Sequence, residues 1–474
     1  MTSEAIETYL NWITENGGTF RNIELRTDNQ GVGCVHTTAD IQEDEKFASV
    51  PFKLAITEPV ARKAFPSLSK FSGRIVLSIF LAQEKKREKE SFYWPYIQIL
   101  PETIMTPLYF DESDMNYIKN TNLELATKER KSNLMEEYKE AVRNLTQNDI
   151  SWDEFLWAYT VYSSRAFPYT LIDPTSKSNS EVLFPLVDAL NHKPNTKITW
   201  ERSGDIETGS LSFISGQLSI QLSNEELLLG YGFCFEYNDH DHITIKPNFK
   251  QDPDYETKLK ILQQCHITSG NADPYTFYML RNSIPPSFFQ LMRVLVMNTL
   301  ELEYYFKCTQ SEYLDFVGYR NELSVILTIT TILKSRLRNI TSISLDKDNH
   351  KEWQTFALMY RAGQEDVYRA VLSKMEEVKR NLIQKMAQDL KENKLANRAP
   401  FLSIHNPEIV KEKQEDNIEL DSSPFLSLDM VLIDIRKLLA KDKAFSDVIS
   451  ELFEDFEQEA DMIMMLWLQL ICLM

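Results

Sequence analysis

In the stretch Phe184 to His192 an apolar run gives way abruptly to Asp188, Asn191 and His192. A carboxylate, an amide and an imidazole in such a place need hydrogen-bond partners or a ligand. A lone Asn-His pair there would read as a strand end capping a turn. Other residue groups have blander readings beside their chemical ones. Arg165 could pair with a carboxylate at a helix end, and Tyr231 and Phe233 are types that also fill ordinary cores. Gly31-Val-Gly33 lacks the third glycine and the strand-helix context of a dinucleotide site. His240-Asp-His242 with Asp239 has metal-ligand chemistry, but two histidines two apart on a short loop read as solvated, so no metal is expected.

In order along the chain stand Gly31-Val-Gly33, Val50-Pro51-x-Lys53-Leu54, Ser164-Arg165-Ala-Phe167, Asp188-x-x-Asn191-His192, and Asn224-Glu-Glu-Leu-Leu-Leu-Gly-Tyr231-Gly232-Phe233, followed by Asn238-x-x-Asp241. Together they resemble the signature of SET-domain protein-lysine methyltransferases of the Rubisco large-subunit and ribosomal-protein type, over nearly all of residues 19 to 246. Tyr360-Arg361-Ala-Gly363-Gln364 is similar to a segment of the substrate-binding domain that follows SET in those enzymes.

The resemblance implies an α+β fold, with small antiparallel SET sheets split by a helical insertion and an all-α substrate-binding domain after them. It implies S-adenosyl-L-methionine as cofactor and methyl transfer to a protein lysine. Such an in-line displacement requires amine, methyl and sulfur to be aligned. The amine must also be neutral, which desolvation in an aromatic channel favours. By resemblance, Gly31, Gly33, Glu58, Pro59, Val60, Arg165, Asn191, His192, Gly232 and Phe233 contact the cofactor. Arg165, Tyr169, Asp188 and Tyr231 meet the substrate, and Tyr231 is the catalytic candidate. A large-subunit ribosomal protein is the first expected target, then a translation elongation factor, then histone.

One departure bears on catalysis. The family carries a Tyr-Gly before "N-x-E-L-L", whereas this chain reads Gln217-Leu-Ser219-Ile-Gln221, with 23 residues between Trp200 and Asn224. A serine cannot supply both an aromatic wall and a phenol, so activity would rest on Tyr231 or Tyr237. Two alternatives follow: a SET-fold module that binds protein without methylating it, and a methylase of histidine, as in related SET proteins that modify actin.

Elements that could position these residues are readable from periodicity. Residues 1–18 form a short amphipathic helix ended by Gly17-Gly18. A SET domain spans 19–250, as an N-terminal part 19–73, a helical insertion 74–180 and a C-terminal part 181–250. Strands are expected at Gly31 to Val35, Lys46 to Val50, Val182 to Val187, Lys197 to Arg202, Ser210 to Ser215 and His242 to Lys246. Within the insertion, Ser151 and Glu154 form a capping box before an apolar helix, and the charged run Glu84 to Glu90 reads as a solvated face. Residues 251–474 read as a helical domain, including Glu322 to Leu337 and Trp353 to Leu382.

With 51 basic and 70 acidic residues, the formal charge of -19 disfavours a nucleic-acid backbone and favours a basic protein partner. Five scattered cysteines give neither a disulfide framework nor a zinc cluster. No export signal is read at the N-terminus. The apolar run Met462 to Met474 is shorter than the roughly 20 residues a bilayer span needs and reads as a buried helix. A monomer in the cytoplasm, and also the nucleus, with no membrane partner, is expected.

Overall fold

Helix α1 (Ser3–Glu15) starts where the Thr2 side chain accepts the Ala5 amide, buries Tyr9, Trp12 and Ile13, and is followed by Gly17 at φ +89°. The computed structural model describes residues 2–27, 33–42, 45–145, 149–177, 179–190, 199–214, 222–271, 273–308, 314–345 and 350–391. They divide into two units: residues up to Asp241 together with Ile343–Gln364, and His242–Ser342 together with residues from Glu365 onward.

In the first unit, β1 (Thr19–Phe20), β2 (Ile23–Thr27), β3 (Gly33–Thr37), β4 (Lys46–Pro51) and β5 (Ile56–Thr57) precede helix α2 (Glu58–Ala64). Helices α3 (Gly73–Arg87), α4 (Trp94–Ile97), α5 (Glu112–Met115), α6 (Asn122–Arg143) and α7 (Trp152–Arg165) make the insertion. Strands β6 (Ala166–Pro168), β7 (Glu181–Leu183), β8 (Thr199–Ser203) and β9 (Ser210–Ile214) and helix α8 (Asn224–Tyr231) follow. The strands form antiparallel sheets in the orders β1-β4-β9-β8 and β5-β7-β6, with β2-β3 as a separate hairpin.

Helices α3 and α7 pack together and are apolar on nearly every side: Ile75 to Ala82 and Phe155 to Tyr162 are buried throughout. A helix with no polar face belongs inside a core. The Ser151–Glu154 capping box is formed in both directions and fixes where α7 begins, a cap of the kind worth about 1 kcal/mol. Trp200 of β8 meets Phe213 of β9 at 4.7 Å and Phe167 of β6 at 5.7 Å, so one aromatic row joins strands of two sheets.

Two readings of the sequence need correction. The strand expected over Val182 to Val187 stops at Leu183: Pro185 has no amide to donate to a ladder, and Leu186 turns back at φ +70°. The run Glu84 to Glu90 is not wholly solvated, because Glu84 is 5% exposed and accepts hydrogen bonds from Arg87 and Ser91.

The second unit contains β10 (His242–Ile245), α9 (Tyr255–Gln264), β11 (Phe277–Leu280), α10 (Pro286–Leu295), α11 (Thr299–Cys308) and α12 (Tyr319–Thr341), with the later turns of α13 (Glu352–Lys391). Among the described residues it is helical except for the β10-β11 ribbon. Buried ion pairs Arg293–Glu322 and Arg320–Glu301 stand among its apolar residues, with their guanidinium groups also donating to the Leu314 and Val296 carbonyls. The apolar run Met462 to Met474 lies outside the described residues.

Candidate functional site

The candidate residues gather around the carboxyl end of α7. The helix ends at Arg165 and the chain enters β6, which is laid against β7 with Phe167 opposite Val182 and Pro168 opposite Glu181. From β7 the chain passes through Phe184 to the turn that carries Asp188. Arg165 closes the loop: its Nη1 donates to the Asp188 carbonyl at 2.9 Å and to Asp188 Oδ2 at 3.1 Å. The Tyr96 hydroxyl of α4 donates to the same Oδ2 at 2.9 Å.

Asp188 is completely enclosed and Arg165 is 10% exposed at the side chain. Burial pushes the Asp188 carboxyl above its usual range, against the opposing pull of Arg165 and of its hydrogen bonds. Its second oxygen, Oδ1, is buried without a partner among the described residues. The Arg165 bonds recorded are both from Nη1, so among the described residues Nη2 and Nε keep donors in hand. These are the donors that a carboxylate-bearing ligand would use bidentately.

The glycine hairpin reaches the same turn. The Val35 amide in β3 donates to the Ala189 carbonyl at 3.1 Å, tying the strand that begins at Gly33 to the residue after Asp188. Gly31, Asn191, His192 and the segment 217–221 lie outside the described residues.

Beside α7, where Arg74 reaches Ser163, a cleft of about 470 Å³ is lined by Glu58, Arg62, Gly73, Arg74, Arg130 and Glu181, among others. Glu58 opens α2, accepts from Arg62 Nε at 2.6 Å, and rests on Gly73, where an added Cβ would stand 2.6 Å from its carboxylate. Pro59 and Val60 are exposed. Arg74 pairs with Glu181, donates to Ser163 Oγ at 3.0 Å and lies over the Tyr159 ring. Tyr169 is half-buried, its amide held by the Ser180 carbonyl.

Helix α8 packs on α7 and ends at Tyr231. Gly232 follows at φ +80°, a left-handed cap that favours glycine, with its missing Cβ position 3.1 Å from the Met105 carbonyl. Tyr231 and Phe233 meet edge to face at 6.1 Å. Burial raises the Tyr231 phenol pKa, with Arg74 opposing the shift, so it is un-ionised at neutral pH. Tyr237, the other candidate phenol, is 87% exposed.

The Asn224 and Asp241 motif proves to be a fastening. Asp241 accepts the Asn224 amide at 2.7 Å and its Nδ2 at 3.1 Å, while Asn224 Oδ1 accepts the Phe235 amide at 2.9 Å. The segment Tyr360 to Gln364, expected to belong to the substrate-binding domain, lies in the first unit. Tyr360 donates to Glu225 in the first turn of α8 at 2.9 Å, and Gly363 lies against Asp241.

Sequence reasoning missed Tyr96, Arg74, Glu181 and Glu225. Ser223-x-x-Glu226, the capping box that starts α8, carried a readable signal. The pairing of Tyr96 with Asp188 carried none, since the two stand 92 residues apart. Among the described residues no group of His, Cys, Asp and Glu could hold a metal, and no helix is long and apolar enough to cross a membrane.

Residues 249–392 match the family described as Rubisco LSMT substrate-binding. The chain is 34% identical over 303 residues to the ribosomal lysine N-methyltransferase set10 of Schizosaccharomyces pombe, covering 59% of this chain and 54% of that one. It is 25% identical to the actin-histidine N-methyltransferase of Gallus gallus, over 62% of this chain and 53% of that one. It is 23% identical to ribosomal lysine N-methyltransferase 1 of Saccharomyces cerevisiae, over 92% and 88%. The chain thus spans about half the length of the first two relatives. A solved structure of Rubisco LSMT bound to AdoMet superposes with a TM-score of 0.67 at 21% identity, covering 87% of this chain and all of that one. The SET domain of LSMT bound to lysine and AdoHcy gives 0.67 at 20% identity, covering 86% and 98%. The chain therefore has the fold of the SET domain seen in Rubisco LSMT, with a match to the Rubisco LSMT substrate-binding family over residues 249–392.

Proposed function

We propose that this protein is an S-adenosylmethionine-dependent protein-lysine N-methyltransferase acting on a basic protein, with a large-subunit ribosomal protein as first candidate. The observation that carries the reading is the Arg165 guanidinium at the end of α7, held through Nη1 by a buried carboxylate and keeping further donors in hand among the described residues. That donor set fits the carboxylate of an amino-acid moiety.

S-adenosylmethionine, when bound, supplies a methyl group on a positively charged sulfur. The Arg165 donors would take its carboxylate, and Gly31, Gly33, Asn191 and His192 would receive the rest. Tyr231 and Phe233 wall the approach of the amine and favour its uncharged form by excluding water. Asp188, being enclosed, acts by holding Arg165. The relatives named ribosomal lysine N-methyltransferase support the choice of substrate. The net charge of -19 favours a basic partner, so turnover is expected to fall as salt rises.

Relatives named actin-histidine N-methyltransferase favour a second reading, transfer to a histidine nitrogen. Calorimetric titration of the wild type with S-adenosylmethionine should show binding that Asn191→Ala with His192→Ala weakens. Mass spectrometry after incubation with ribosomal proteins or actin should then place the methyl on lysine. A wild type that releases no heat of binding would remove the methyltransferase reading. Methyl on histidine would select the second one, and binding without product on either substrate a protein-binding module.

A further inference from the structure

We infer that Tyr96 is a positioning residue of this site: its phenol fixes the Asp188 carboxylate and, through it, the Arg165 guanidinium that receives the cofactor carboxylate. The inference rests on the function proposed above and adds a residue to it. Tyr96 stands on α4, a four-residue helix of the insertion begun by Trp94-Pro-Tyr96, and is fully buried. Its hydroxyl and Arg165 Nη1 share one acceptor, Asp188 Oδ2, at 2.9 and 3.1 Å. Two donors converging on one oxygen fix the carboxylate plane, and the second Arg165 bond, to the Asp188 carbonyl, then fixes the guanidinium. A bidentate carboxylate contact is sensitive to such orientation.

The surroundings leave the phenol no other evident task. Its ring packs 6.2 Å from that of Tyr9 on α1, a contact that phenylalanine would keep. Three groups act on Asp188: Arg165 from α7, Tyr96 from α4 and the Tyr9 phenol from α1. Arg165 and Tyr96 favour its ionised form, burial opposes it, and only the ionised form holds Arg165 as an ion pair. Without the Tyr96 hydroxyl, Asp188 takes up a proton at higher pH.

The test is S-adenosylmethionine affinity measured by titration from pH 5 to 9, for wild type, Tyr96→Phe, Asp188→Asn and the double variant, each checked for folding by circular dichroism. Tyr96→Phe is expected to bind about tenfold more weakly at neutral pH, with the acid-side loss of affinity moved to higher pH. In the Asp188→Asn background the same change should have less than a twofold further effect, since Tyr96 acts through Asp188. Equal affinity and an unmoved pH profile in Tyr96→Phe would overturn the inference, as would a tenfold loss that persists undiminished in the Asp188→Asn background. Should Tyr96→Phe not fold, Asp188→Asn tests the acceptor through which Tyr96 acts, and an acid limb identical to that of wild type overturns the inference. A wild type that binds no S-adenosylmethionine at any pH refutes the proposed function itself.

Discussion

Replacing Arg165 with alanine is expected to weaken S-adenosylmethionine binding roughly a hundredfold and to destabilise the protein by about 3–5 kcal/mol at neutral pH. The first figure follows from losing one or two charge-assisted hydrogen bonds at about 1.5–3 kcal/mol each. The second follows from leaving Asp188 fully buried without its cation. Acid should rescue the stability and not the binding. Burial already raises the Asp188 pKa, so the folded state keeps that proton to higher pH than the unfolded chain does. Its cost is therefore present above the ordinary carboxylate range and disappears as pH falls through the raised value. Removing Arg165 raises that value further, so the stability gap between variant and wild type should narrow from pH 8 to pH 5. Urea unfolding at several pH values measures this, and a gap that widens on acidification would refute it. Arg165→Lys, which keeps the charge but not the fork, should keep most of the stability and lose most of the affinity.

Asp241→Ala is expected to cost about 2–4 kcal/mol, because it takes the acceptor from the buried Asn224 amide and one of the two acceptors from its Nδ2, which keeps the Phe235 carbonyl. Gly363→Ala should be destabilising in the same direction, since its Cβ would stand 2.6 Å from an Asp241 oxygen that Asn224 holds in place. Combined in one chain, the two changes should cost less than their sum, because removing the Asp241 carboxylate removes the clash. Strict additivity in denaturant unfolding would show that Gly363 acts elsewhere. Both variants should also lower cofactor affinity, since α8 carries Tyr231 at its far end.

What could be read from sequence divides along physical lines. The apolar helix that follows the Ser151 cap and the strands around Lys46 and Ser210 follow from local periodicity and capping chemistry, and they stand where the sequence places them. The early end of β7 was also written in the chain, in Pro185, but an apolar run masked it. Glu84 was beyond such reading, because its burial depends on Ser91 folding back onto it. The polar ending at Asp188 was legible as a place needing partners, and Arg165 as a group that could pair with a carboxylate, but not that the two belong together. Tyr96 could not be named at all, because a phenol arriving from a distant helix leaves no spacing to recognise. The motif Tyr360 to Gln364 was recognised by its residues and falls within the 249–392 match to the substrate-binding family, while its packing against α8 and Asp241 left no sign in the sequence.

The strap from Ile343 to Gln364 completes a unit whose other residues end at Asp241, with the whole of His242–Ser342 between them. During synthesis, then, Asp241 and Asn224 emerge long before Gly363 and Tyr360, and at the usual pace of about 5–20 residues per second the wait lasts several seconds or more. Over that interval the buried Tyr117 and Leu228 face water without the Tyr360 side of their cluster. A nascent chain of this protein is for those seconds expected to be a client for chaperones, and cutting the gene after residue 250 should make that exposed intermediate permanent.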